Sequence, residues 1–412
     1  MRLSPEDIGI LFLSLAVFLF FARIFGEIFI RFKLPAVIGE IIAGIILGPT
    51  LLGSIFSEAY NAVFSNASLV SLGLDTIAQI AIALLLLVSG MEVDLGLVFR
   101  QGKNSVIFGT ISLILPFLVG FIFGYFYLDL FVASLAPNKI SIGIFFGLAI
   151  GISALPVIAR ILLDLKMLRT EIGTIILSSA MFIDLFGWMI FSLLVGSMKG
   201  GMPISKFFLS LSYVVLFAFL TVIILGKIID KIIPYLQKEI SFPGGILNFI
   251  FILCFTFAYI SELIGIHSIF GAFIVGITFG NSPVLKENVK QILNQFITNI
   301  FAPLFFISIG LRVDFSKNLD LIFILIFLFI AIAVKIAAGI ISGKLAKFEL
   351  RKSLAIGSAL NARGAMEIIL GLIALDAGLI DEIIYVALVI TALFTSIITP
   401  VLMKLSLKKY SH

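Results

Sequence analysis

The chain has 412 residues, 61% of them hydrophobic and 12% charged, with a formal net charge of +5. Ordinary soluble domains carry about 25% charged residues, so this composition excludes a soluble globular fold and points to an all-α polytopic membrane protein. A single cysteine, Cys254, excludes internal disulfides and thiolate metal clusters, and two histidines, His267 and His412, argue against a histidine metal centre.

Apolar stretches near the roughly 20 residues needed to cross a bilayer as a helix fall at 8–30, 35–56, 71–91, 104–134, 140–163, 170–198, 205–235, 244–264, 267–280, 293–312, 318–346, 354–378 and 382–405, about 13 spans in all. The ninth is short for a full crossing, and the tenth begins in an amphipathic stretch. The first is too long and too poorly flanked for a cleavable signal peptide, so it is expected to remain as a helix. Beyond Leu405 only a short basic stretch follows, and no soluble regulatory domain is expected. Lys and Arg gather in the loops after odd-numbered spans, among them Lys344, Lys347, Arg351 and Lys352. By the positive-inside rule the N-terminus is then outside and the C-terminus cytoplasmic. The net positive charge therefore reads as topology; no basic segment interleaved with aromatics suggests a nucleic-acid surface.

Hydrophobic length is less informative than an internal repeat. Gly39, Gly44 and Gly48 in the second span recur at the same spacing as Gly271, Gly276 and Gly280 in the ninth. LLLLVSGMEVDL at the end of the third span matches PLFFISIGLRVDF at the end of the tenth, aligning Gly90 with Gly310 and Asp94 with Asp314. SALP at Ser153 to Pro156 recurs as SALN at Ser358 to Asn361. Each pair lies an odd number of spans apart, so the two copies face opposite ways across the membrane, the inverted-topology arrangement of secondary transporters. Pro156 in the fifth span, and Asn361 with Gly364 in the twelfth, predict two crossed broken helices whose terminal dipoles and free carbonyls open into a cavity.

Asp184 stands alone within 172–198, a stretch with no other ionisable side chain. A charge at mid-membrane depth costs about 2.5–3.5 kcal/mol on insertion scales, so it persists where it is solvated, paired or used. Lys335 lies deep in the eleventh span and is expected to have a partner carboxylate, Asp184 first among the candidates. Arg363 and Glu367 are four apart on one helix face and suit either a structural ion pair beside the helix break or direct ion binding. Glu40, one turn inside the second span, is expected to reach water or Lys33. Ser153 at the break and Ser179 before Asp184 are candidate neutral cation ligands.

LPAVIGEIIAGIILGP, LLLLVSGMEVDL, ISALPVIARILLDLKMLRTEIGTIILSSAMFIDLFGW, PLFFISIGLRVDF and NARGAMEIILGL together resemble the cation/proton antiporter-2 family, in order and spacing and over nearly the whole chain. The resemblance implies a homodimer in a prokaryotic-type plasma membrane. Each protomer would have a dimerisation panel near 1–91 and 244–312, a core near 104–198 and 318–405, and a linker helix near 205–235. It implies that Asp184 is the ion-binding aspartate, Lys335 the basic residue before the second crossing helix and Arg363 the arginine of an RG motif. Family members usually carry Asp-Asp or Asn-Asp at the centre of the sixth span, whereas Ile183 precedes Asp184 here. One exchangeable carboxylate implies one proton per monovalent cation and no net charge movement, with Glu367 as a second site the alternative.

The mechanism expected is competition: a proton and a desolvated Na⁺ or K⁺, Na⁺ favoured, exclude each other at Asp184, which alternately faces the two sides. No cofactor is called for. An intramembrane aspartyl protease needs a second deep aspartate and a serine protease a mid-membrane base, so an enzyme is not expected. A sodium-coupled symporter of an organic anion is the runner-up, and a K⁺ efflux subunit is a variant of the main reading.

Overall fold

The computed structural model describes residues 4–32, 34–58, 60, 69–100, 102–128, 139–165, 167–168, 170–198, 204–240 and 242–407. Lys33 and His412 lie outside the described residues. Among the described residues every regular element is helical, as hydrocarbon demands of a single chain that must satisfy each backbone group internally. Ten of these helices are long and apolar enough to cross a membrane, and two shorter apolar helices, Lys139–Gly151 and Ser268–Gly280, accompany them.

Helix α1 (Pro5–Arg31) begins at Ser4, whose hydroxyl accepts the Asp7 amide while the Asp7 carboxylate accepts the Ser4 amide. Helix α2 (Ala36–Leu47) stops well short of the predicted 35–56. Gly48 is extended there, as a residue before a proline prefers, and a separate short turn, Leu52–Ile55, follows Pro49. Helix α3 (Leu69–Glu92) leads to α4 (Gly102–Ile122), which a π turn prolongs over Phe123–Tyr127.

The predicted fifth span is two half-helices, α5 (Lys139–Gly151) and α6 (Leu155–Asp164). The break falls at 152–154, just before Pro156. Pro156 therefore sits in the first turn of α6, where its missing amide forfeits no helical hydrogen bond. Next come α7 (Glu171–Met198) and α8 (Ile204–Leu220), the latter carried through a π turn at Thr221–Leu225 into Gly226–Glu239. Helix α9 (Gly244–Leu263) is followed by α10 (Ser268–Gly280), capped by His267, whose ring nitrogen accepts the Ile269 amide. Helix α11 joins amphipathic Glu287–Phe296 to Ala302–Arg312 through a π turn, Ile297–Phe301. Helix α12 (Leu321–Leu345) starts at Asp320, whose carboxylate accepts the Phe323 amide at 3.0 Å. The second broken helix is α13 (Leu350–Ala359) plus α14 (Ala365–Asp376), and α15 (Glu382–Leu407) closes the described chain.

Small residues bring these helices to backbone contact. Gly44 and Gly48 of α2 lie against the backbone of Ile307 and Gly310 on α11, and Gly276 and Gly280 of α10 lie against Leu87 and Met91 on α3, with no room for a Cβ at any of the four. Likewise Gly39 sits on the Phe25 backbone and Gly271 on the Phe257 backbone. The glycines that recur in sequence thus make matching contacts in space. Such close approach is how apolar helices gain contact where lipid competes equally for their side chains.

Candidate functional site

The site grows out of the two helix breaks. A helix that ends inside protein leaves four carbonyls without intrahelical partners and the negative pole of its dipole unsatisfied. At the end of α5 all four find donors. The Leu148 carbonyl accepts the Ile152 amide at 2.8 Å. The Arg363 guanidinium donates to the Ala149 carbonyl and, at 2.9 Å, to that of Ile150. The Lys335 ammonium donates to the Gly151 carbonyl at 2.5 Å, and also to the Ser112 carbonyl at 3.1 Å and the Ser153 hydroxyl at 2.8 Å. Two buried cations therefore cap one half-helix.

The breaks are bound to each other. The Ala154 amide donates to the Ala362 carbonyl at 2.8 Å, and the Ser153 hydroxyl donates to the Leu360 carbonyl at 2.5 Å. Gly364 abuts Ala154 and Val157, where an added Cβ would lie 2.9 Å from the Val157 side chain. The Ser396 hydroxyl on α15 closes the other flank by donating to the Arg363 carbonyl.

Asp184 lies at the midpoint of the 28-residue α7. This helix packs against α4, both half-helices α5 and α6, and α13. Gly187, one turn on and so on the same face, abuts the side chain of Ile152 in the first break. Asp184 is wholly buried, and neither carboxylate oxygen has a hydrogen-bond partner. Among the described residues it forms no ion pair, which corrects the expected pairing with Lys335. The physical reason is the α5 terminus: its free carbonyls, with the carbonyl of Ser112 and the hydroxyl of Ser153, already take all three ammonium protons.

The other predicted residues divide by what they touch. Arg363 and Glu367 form the expected pair at 2.9 Å, both fully buried, with the second Glu367 oxygen unpartnered. Ser153 accepts from Lys335 and donates to Leu360, so its hydroxyl is a bridge rather than a free ligand. Ser179 is turned away towards α4, donating to the Ser105 carbonyl at 3.3 Å, while Ser178 meets the Ser105 hydroxyl at 2.6 Å. Asn361 shapes the second break, but its side chain adds something sequence reasoning missed: both amide atoms are buried without partners. Also missed were the carbonyls of Ser112, Ala149, Ile150, Gly151 and Leu360, since main-chain oxygens leave no trace in side-chain chemistry. Glu40 corrects another expectation. It is only 7% exposed, and one of its oxygens is buried without a partner, so it is enclosed by packing rather than extended at the surface.

A family model described as sodium/hydrogen exchanger, transmembrane, matches residues 16–409. The chain is similar to cation/H⁺ antiporter 17 of Arabidopsis thaliana, 31% identical over 95% of this chain and 47% of the relative, so it spans about half the length of that plant protein. It is 29% identical to an Na⁺/H⁺ antiporter of Enterococcus hirae, over 98% of this chain and 99% of that one. Its fold is similar to that of the sodium proton antiporter of Methanocaldococcus jannaschii, with a TM-score of 0.68 at 17% identity, covering 98% of each chain.

Proposed function

Since the chain belongs to the sodium/hydrogen exchanger family of transmembrane proteins, we propose that it exchanges a monovalent cation for protons across its membrane by alternating access. It is thus a transporter and not an enzyme. Na⁺ is the preferred cation, with K⁺ efflux the variant, and the exchange is electroneutral, one for one. One observation carries this: Asp184 is a buried carboxylate with no internal partner, packed beside two broken helices that hold each other.

Because Lys335 and Arg363 direct their hydrogen bonds to the α5 terminus and to Glu367, no protein cation is bonded to Asp184. Its charge must be met by a proton or by a metal ion, and the two compete for the same oxygens. Asn361 is the first neutral group to recruit as a further ligand, because its amide oxygen is unused; hard cations take oxygen donors. Lys335 needs no exchangeable carboxylate to hold its charge, which favours a single titrating group per cycle. The runner-up, a sodium-coupled symporter of an organic anion, calls for a basic group free to meet the anion, and both deep cations at this site are engaged.

The matched glycine contacts support two copies of one unit in inverted orientation, with α4–α7 and α12–α15 as a moving core against a panel of the remaining helices in a homodimer. The N-terminus would be outside and the C-terminus in the cytoplasm of a prokaryotic-type cell. With Asp184 sealed from solvent, the conformation is occluded, and ion entry requires the core to shift. The test is exchange in proteoliposomes with an imposed Na⁺ gradient, reading lumenal pH and membrane potential. Wild type should move protons without responding to potential, and Asp184→Asn should abolish the flux; undiminished proton movement in Asp184→Asn refutes the assignment.

A further inference from the structure

Away from the exchange centre, a cavity of about 240 Å³ opens between α1, α2 and α11. Its polar lining is Arg23, Glu27, Glu40, Thr298 and Asn299. The Arg23 guanidinium is already engaged, by Glu27 at 2.6 Å and by the Asn299 amide oxygen at 3.4 Å. Glu40 is left over: it lines the cavity, is 93% buried by its 7% exposure, and has a carboxylate oxygen with no partner among the described residues.

We propose that this cavity is a second, non-transporting site for a monovalent inorganic cation, bound through the Glu40 carboxylate and partly hydrated.

Charge and chemistry both select such an ion. Arg23 and Glu27 cancel, so ionised Glu40 leaves the cavity one negative charge, which one monovalent ion balances and a divalent ion overshoots. The donors are oxygens, as hard cations prefer. Thr298 gives its proton to the Asn294 carbonyl at 2.6 Å and so offers lone pairs only. The space exceeds the roughly 30 Å³ that a water takes in the liquid, so an ion can keep part of its hydration shell.

The internal repeat argues against a packing role for the acid. Gly39 on the Phe25 backbone and Gly271 on the Phe257 backbone set the register between the two copies. In that register Arg23, Glu27 and Glu40 correspond to Phe255, Tyr259 and Ala272. Ala272 is completely buried, so the same helix contact closes over a methyl group. The three charges are an addition to one copy, and burying a carboxylate without a partner costs stability unless something occupies it.

The test uses the full chain with Asp184→Asn, which removes the proposed exchange carboxylate. Thermal unfolding is measured in choline chloride, NaCl and KCl at equal ionic strength. The expected result is a rise in Tm of about 2 °C or more in NaCl or KCl over choline, lost in Asp184→Asn/Glu40→Gln. Asp184→Asn/Glu40→Ala, carrying the residue type of the second copy, gives the same readout should the glutamine variant not fold. A rise that survives in the double variants, or no cation-specific rise in Asp184→Asn, overturns the site. A wild type without exchange activity, with the rise intact in Asp184→Asn, sinks the exchange reading and leaves this one standing.

Discussion

Lys335→Ala separates the two roles a buried lysine can have here. If the ammonium caps α5, its removal strands the carbonyls of Gly151 and Ser112, at about 1–3 kcal/mol for each buried acceptor left unmade. Ser153 loses its donor but keeps Leu360. The truncated stem removes three further methylenes from packing, about 0.8 kcal/mol each. Against these losses stands relief from burying an ammonium, several kcal/mol in real proteins. The balance is a destabilisation of about 2–4 kcal/mol, a fall in Tm of roughly 2–5 °C. Thermal unfolding in detergent reads this directly. Protein that remains folded should still exchange cation for proton one for one in proteoliposomes, with the flux still abolished by Asp184→Asn. An unchanged Tm together with a shift to potential-dependent exchange would show that Lys335 answers to Asp184, and the capping account would be wrong.

Three further substitutions probe separate parts of the structure. Asn361→Ala removes an amide with no internal partner, so Tm should change little while the KM for Na⁺ rises about tenfold, the equivalent of 1.4 kcal/mol of lost ligation; an unchanged KM removes Asn361 from the cation site. Gly276→Ala forces a Cβ into the Leu87 backbone and should cost about 1–3 kcal/mol by overpacking, seen as a lower Tm, and an unaltered Tm would mean that α3 and α10 are not in backbone contact. Arg312→Gln breaks the 2.8 Å pairs that tie Asp75 on α3 to Asp376 on α14. These partners are partly exposed, so stability should move by about 1 kcal/mol or less, but turnover should rise if the core must leave the panel in each cycle; equal turnover in both proteins denies the ties any part in the motion.

The parts legible in sequence were those written in apolar length, in small-residue spacing and in isolated charge. Asp184 stood out because no other ionisable side chain lies in 172–198. The glycine register was legible because a helix crossing at backbone distance tolerates no Cβ, and the same register reappears in the contacts of Gly44 and Gly276. Pro156 marked the right neighbourhood but the wrong residue. A proline is as acceptable in the first turn of a new helix as it is disruptive inside an old one, and composition does not distinguish the two. The Lys335 pairing was misjudged for a related reason: charge suggested a carboxylate, whereas the real acceptors are main-chain oxygens exposed by the break. Glu40 looked like a surface acid because it is near a helix end, and only the packing of α1, α2 and α11 around it shows that it is enclosed.

On the proposed exchange, keeping the cations on a helix terminus and leaving the acid without a donor would also favour obligatory coupling. If Lys335 were hydrogen-bonded to Asp184, the empty site would be a satisfied ion pair and could cross without cargo. With Lys335 held by the α5 carbonyls, an unloaded Asp184 would enter the occluded state with no donor on either oxygen. Taking the insertion-scale cost of about 2.5–3.5 kcal/mol for such a charge, empty crossings would be about 100-fold rarer than loaded ones, at 1.36 kcal/mol per tenfold. On this reading the solvation cost would suppress leak without a gate that senses occupancy. The same reasoning sets what the fold must avoid: any substitution that lets a lysine or arginine reach Asp184 in the occluded state would stabilise the empty carrier and uncouple the two ion flows.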